Sequence, residues 1–227
     1  MKKFIVLFLA ACMLLGLAAC GRQESTSPTG QADPNAGTAA VDPSAPIEFD
    51  MQTSEEKHIV TIGTIDKSLF EGPILITSFG QSTDASTLDT ALGRVSGVNY
   101  TYKAQAIADE MASYKTVIIA VGASTKGLGA AGIKDDEELA RAQAIMAKLK
   151  ETGATVICAH IGGQTRRGAL SDKLADLVLP QAKLIILKED ANFDYKFTKY
   201  AEANNLPITL IFAAKDTVQV MNDIFGK

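Results

Sequence analysis

Five short, almost unbroken apolar runs recur in this chain: Ile74-Leu75-Ile76, Thr116 to Val121, Ala154 to Ala159, Leu184 to Leu187 and Ile208 to Phe212. They are rich in β-branched residues and bounded by turn formers. A strand with one face in water alternates apolar and polar residues, whereas a strand covered on both faces does not. Runs this short are poor candidates for buried helices. They predict inner strands of a sheet that is covered by helices on both sides.

Helical patterns fill the intervals. Asp135 to Glu151 places Leu139, Ala142, Ile145 and Leu149 on one stripe. Acidic residues open it, Lys148 and Lys150 close it, and Gly153 follows, the charge order and stop that a helix dipole favours. Ser171 to Leu179 ends before Pro180; Phe193, Phe197 and Tyr200 mark another helix; Leu88, Leu92 and Val95 mark one after the first strand. Asp216 is placed to cap a last helix that buries Val220, Met221 and Ile224.

Strands alternating with helices join through right-handed crossovers into a mainly parallel sheet. The expectation is one α/β domain over residues 57–227, a three-layer α/β/α sandwich of about six strands. It is expected to be flavodoxin-like (Rossmann-like in the broader sense), with strand order 2-1-3-4-5 and a sixth strand added. Val98 to Tyr102 is the weakest strand candidate. His58 to Ile65, which alternates through Ile59-Val60-Thr61-Ile62, is expected to add an edge strand or to pack across the sheet.

The N-terminus is of a different kind. Lys2 and Lys3 precede an apolar stretch from Phe4 to Leu17, short for a membrane span of about 20 residues. It ends in Leu17-Ala18-Ala19-Cys20, which resembles the lipobox of bacterial lipoproteins. The resemblance implies that residues 1–20 are a signal peptide and that Cys20 is lipidated and becomes the mature N-terminus. Diacyl chains give the two-signal anchoring that stable membrane attachment needs. The expected location is extracytoplasmic, lipid-anchored in the cell envelope.

Residues 21–56 read as an acidic tether, with seven acids against Arg22 and little apolar periodicity. With the whole chain at −4, the two N-terminal lysines and this acidic stretch leave the remaining domain neutral. That excludes an electrostatic footprint for nucleic acid and polybasic attraction to anionic lipid. Of the three cysteines, only Cys158 belongs to the domain, within an apolar strand, where a small buried hydrophobe is expected.

In a sheet of this kind ligands bind beyond the carboxyl ends of the strands, at the switch point in strand order. Three strand ends there carry glycines, hydroxyls and, in two of them, cations. The candidate ligand-binding residues are Ser78, Gly80, Gln81 and Ser82 after the first strand, and Gly122, Ser124, Lys126, Gly127 and Gly129 after the third. After the fourth come His160, Gly162, Gly163, Arg166 and Arg167. Glycines let backbone amides approach a ligand, a helix start near Ser82 offers unpaired N–H groups, and the cations could neutralise a carboxylate or phosphate. Glycine turns, a surface lysine and a core histidine are the plainer alternatives.

Leu128 follows Gly127 where a P-loop needs Lys, and neither a dinucleotide fingerprint opening a helix nor a G-x-S-x-G elbow occurs. No cofactor and no metal site is expected. The segments Ile76 to Ser82, Lys126 to Gly132, His160 to Gly163 and Arg166 to Asp172 resemble the hallmarks of an uncharacterised bacterial family. It is a secreted or lipid-anchored domain family of unknown function, and the likeness runs from Pro73 to about Phe225. The resemblance implies that these loops define the domain and implies no activity.

The expected function is binding of a small polar or anionic ligand, with a membrane or transport protein as a further partner. An extracytoplasmic hydrolase or transferase using Asp84, His160 or Ser124 is the alternative, along with a protein-interaction lipoprotein. The enzyme reading requires His160 within hydrogen-bond reach of Ser78, Ser124 or Asp84.

Overall fold

The computed structural model describes residues 52–226. The elements in chain order are β1 (Ile59–Ile62), β2 (Ile74–Phe79), α1 (Asp84–Leu92), β3 (Tyr100–Tyr102), β4 (Thr116–Val121), α2 (Thr125–Ala131) and α3 (Asp135–Thr152). After these come β5 (Thr155–His160), α4 (Ala169–Val178), β6 (Ala182–Lys188), α5 (Lys196–Ala203), β7 (Ile208–Ile211) and α6 (Thr217–Phe225). The fold is mixed α/β, built on one sheet of seven strands in the order β1-β7-β6-β5-β4-β2-β3.

Every pairing is parallel except that of β1 with β7, which runs antiparallel with Ile59 opposite Ile211. The alternating segment before Ile65 is thus an edge strand. Because β1 is reversed, the chain enters the sheet at the carboxyl ends of the parallel strands. Ahead of β1, Thr53 is buried and its amide donates to Glu189 Oε2 at 2.9 Å.

The continuous apolar runs are explained by two cores, one on each face of the sheet. Leu75, Val117, Ile119 and Ile185 pack with Ile145 and Leu149 of α3, Leu174 and Val178 of α4, and Phe197 of α5. Ile74, Ile76, Ile118 and Ile157 point the other way, onto Leu88 and Leu92 of α1 and Val220, Met221 and Ile224 of α6. Each such side chain, fully removed from water, contributes about 1.5–3 kcal/mol.

Three local expectations are corrected. Thr125–Ala131, read as loop because of its glycines, is helix α2: Ser124 caps it by accepting the Gly127 amide at 3.1 Å, Leu128 is buried, and Gly132 ends it in the left-handed region at φ 68°. Phe193 lies outside α5 and is exposed, so only Phe197 and Tyr200 share that helix. Asp216 does not cap α6 with its side chain; its carboxylate accepts the Ala213 amide at 2.8 Å and meets His58 Nδ1 at 3.0 Å. Among the described residues, no helix is long and apolar enough to cross a membrane.

Candidate functional site

The loops after β2 and β4 grip one another. Gly122 donates to the Phe79 carbonyl at 2.9 Å and Ser124 to the Gly80 carbonyl at 2.8 Å, and Gln81 bridges Ala123. Gly80 has φ 103°, and a Cβ there would stand 2.5 Å from the Gly122 carbonyl oxygen. A Cβ on Gly127 would stand 1.9 Å from the Gln81 carbonyl oxygen. The switch-point crevice between β2 and β4 is therefore filled by the protein's own backbone. Gly80 and Gly127 make that closure possible.

A buried ion pair holds the closure from below. Glu138, on the first turn of α3, is fully buried; its Oε1 accepts from the Gly80 amide at 2.6 Å and from Gln81 Nε2 at 3.1 Å. Arg141, one turn on, donates through Nε to Glu138 Oε2 at 2.9 Å, through Nη1 to the Ala106 carbonyl at 2.7 Å, and to the Ser78 carbonyl. Burial alone would raise the Glu138 carboxyl, but the Arg141 hydrogen bonds, the Gly80 amide and the Arg141 charge outweigh it and hold it below the ordinary value. Ser171 makes a second brace: its hydroxyl accepts the Ala123 amide at 2.8 Å and donates to the Arg166 carbonyl at 2.6 Å.

Beside this closure, between the ends of β4 and β5, Asp84 lies buried at the first turn of α1. The space it occupies exists because Gly122 and Gly162 lack side chains: a Cβ would stand 3.0 Å and 2.6 Å, respectively, from Asp84 Oδ2. Ser82 is also buried, and its hydroxyl accepts the Asp84 amide at 3.3 Å. The Arg166 stem lies over Gly162, with Cγ 2.3 Å from where that Cβ would be. Burial pushes the Asp84 carboxyl above its ordinary value, and the Ser82 hydroxyl, the Arg166 charge and the Gly162 amide offset only part of that.

Among the described residues, three buried side-chain polar atoms have no hydrogen-bond partner: Ser78 Oγ, Asp84 Oδ2 and His160 Nδ1. All three belong to this crest. His160 is fully buried, stacks on Phe197 at 5.6 Å, and its Nε2 donates to the Gly163 carbonyl at 3.2 Å, which leaves Nδ1 as the acceptor. Burial lowers its basicity more than the Gly163 hydrogen bond raises it, so the ring is neutral near pH 7. Among the described residues, no hydrogen bond joins His160 to Ser78, Ser124 or Asp84, so the pairing that the enzyme reading requires is not formed.

The remaining candidates separate by role. Arg166 makes no hydrogen bond or ion pair through its guanidinium among the described residues, and Lys126 stands exposed on the first turn of α2. A Cβ on Gly129 would meet nothing within 4 Å. Gly163, at φ 73°, makes room for the Asp190 carboxylate.

Arg167 is not free for a ligand. Its Nε donates to Asp172 at 2.7 Å, its Nη2 to Asp194 at 2.7 Å and its Nη1 to the Ala191 carbonyl, while the group lies 4.8 Å over Phe193. That pairing holds Asp194 at about 2. It fastens the loop after β5 to the loop after β6. Cys20 lies outside the described residues. Glu138, Arg141 and Ser171 are the members of this crest that sequence patterns missed. The i,i+3 spacing of Glu138 and Arg141 was the one available signal.

A family profile described as Domain of unknown function (DUF6305) matches residues 71–225. No curated protein and no solved structure matches the chain.

Proposed function

We propose, for a chain that belongs to the DUF6305 family of domains of unknown function, a lipid-anchored, extracytoplasmic binding module on a flavodoxin-like three-layer sandwich. It takes a small polar ligand at the carboxyl ends of β2, β4 and β5. The single observation that carries this reading is the unpartnered Asp84 Oδ2, buried between Gly122 and Gly162. Leaving a buried polar group unpaired costs about 1–3 kcal/mol, and perturbed, uncompensated carboxyls cluster at functional sites. A hydroxyl or ammonium of the ligand pairs with Asp84, and an acceptor such as a carboxylate pairs with Arg166. The Arg166 stem packs over Gly162 beside Asp84, and it swings aside as the ligand enters. Lys126 is exposed nearby in sequence terms and serves at most in attraction.

The test is a thermal-shift screen of the full chain in detergent against inorganic phosphate, citrate and free amino acids. A ligand present at 100 times its dissociation constant stabilises the folded state by about 2.7 kcal/mol. At least one probe is expected to raise the midpoint, and the shift is expected to vanish in both Asp84→Asn and Arg166→Ala. A probe whose shift survives both substitutions, or no shift with any probe, overturns the reading. The anchor is tested separately: Cys20→Ser is expected to move the protein from the membrane to the soluble envelope fraction.

A further inference from the structure

The carboxyl ends of β6 and β7 carry a second concavity that the strand-end glycines do not announce. Its volume is about 710 Å³, within the range of roughly 300–1,000 Å³ usual for small-ligand sites. Three of its lining residues, Phe193, Tyr195 and Phe212, are large aromatic side chains 55%, 56% and 40% exposed. Exposed aromatic rings gathered on one concavity mark a surface for a ligand or partner.

The rings are held in place. Tyr195 has φ 59°, a left-handed conformation that is strained for a bulky residue. Its amide donates to the Asn192 carbonyl at 2.8 Å, and Lys199 lies 5.8 Å over its ring. Phe193 packs against the Arg167 guanidinium, and Phe212 stacks on His58 at 5.0 Å.

Planar polar groups stand among the rings. Among the described residues the Gln164 side-chain amide makes no hydrogen bond; its backbone amide and carbonyl do. Glu189 uses Oε2 on Thr53 and, among the described residues, makes no hydrogen bond through Oε1. Lys188 is paired with Asp190, which leaves the Glu189 carboxylate as the negative charge on the wall that no lining cation pairs.

We propose that this pocket binds a neutral saccharide. A pyranose has apolar C–H faces that rest on flat aromatic rings and a rim of hydroxyls. A carboxylate and an amide, each with two planar polar atoms, bind adjacent hydroxyls of that rim. The negative wall disfavours anionic sugars and nucleotides. The inference goes beyond the ligand at Asp84 and does not rest on it: the two sites share only the loop after β5.

The experiment is calorimetric titration of the full chain in detergent with chitotetraose, cellotetraose and maltotetraose. Saturable binding of at least one is expected, with a dissociation constant of about 1 mM or tighter. Tyr195→Gly is expected to weaken it at least about tenfold, a loss of roughly 1.4 kcal/mol, without lowering the thermal midpoint, because glycine takes φ 59° without strain. Asp84→Asn is expected to leave it unchanged. No saturable binding of any of the three probes overturns the inference, and so does binding that survives Tyr195→Gly combined with Phe193→Ala. Binding lost in Asp84→Asn but kept in Tyr195→Gly assigns the sugar to the Asp84 site and overturns it equally.

Discussion

Asp84 and Gly162 share one space: a Cβ built on Gly162 would stand 2.6 Å from Asp84 Oδ2, an atom with no hydrogen-bond partner. The carboxyl is raised by burial, so the folded state holds its proton more tightly than the unfolded chain does. Stability therefore falls as pH rises from the ordinary Asp value to the folded value, and stays reduced above it. Asp84→Asn keeps the shape and removes the charge. Urea denaturation is expected to show the variant more stable than the wild type at pH 7.5, by on the order of 1 kcal/mol, the scale of one unpaired buried polar group. The difference is expected to shrink as pH falls toward the ordinary Asp range. A variant less stable at pH 7.5 would show that Asp84 is a structural member and not a residue held against stability for binding.

Two glycines of α2 are expected to answer oppositely to alanine. At Gly127 the added Cβ would lie 1.9 Å from a backbone oxygen of the β2 loop. Overpacking against backbone is expected to cost about 2 kcal/mol or more. At Gly129 the Cβ would enter open space, so Gly129→Ala is expected to gain roughly 0.5–1 kcal/mol from helix propensity. Equal effects of the two variants would contradict the docking of α2 on Gln81.

The contrast shows which parts of the chain were readable in advance. The apolar runs were legible because burial on both faces writes itself into consecutive residues, as in Val117, Ile118 and Ile119 of β4. Helix α2 was not, because its stability rests on the Ser124 cap and the burial of Leu128, against the glycine count. Phe193 was assigned to a helical stripe, but α5 starts at Lys196 and leaves the ring exposed. The strand-end loops stand out in the sequence by their glycines, yet what each glycine touches does not. Whether Gly80 serves a ligand or a closure depends on Glu138, 58 residues away, and no local pattern encodes that meeting.

Cys158 lies fully buried in β5, and burial pushes its thiol up to about 12. The thiolate is the reactive species, so a thiol reagent is expected to modify native protein no faster than it unfolds. Labelling of Cys158, read by peptide mapping, should be complete in concentrated urea and negligible without it. Rapid labelling of the native chain would place Cys158 near a route to solvent that this packing does not contain.

Glu138 and Arg141 form the pair on which the crest rests, and removing one partner strands the other. Glu138→Ala leaves the Gly80 amide and the Arg141 guanidinium without their acceptor. Breaking a buried ion pair this way typically costs about 3–5 kcal/mol. Because the folded carboxyl is held below its ordinary value, its contribution is fully present above the ordinary Glu value. It is lost as pH falls from there through the folded value. Glu138→Gln is therefore expected to be less stable than the wild type at pH 7, with the gap closing on acidification. This is the reverse slope of Asp84→Asn. Denaturation curves of the two variants across the same pH series separate a carboxylate that builds the crest from one that the crest holds for a ligand. Parallel slopes would mean that the two carboxyls do not differ in this way.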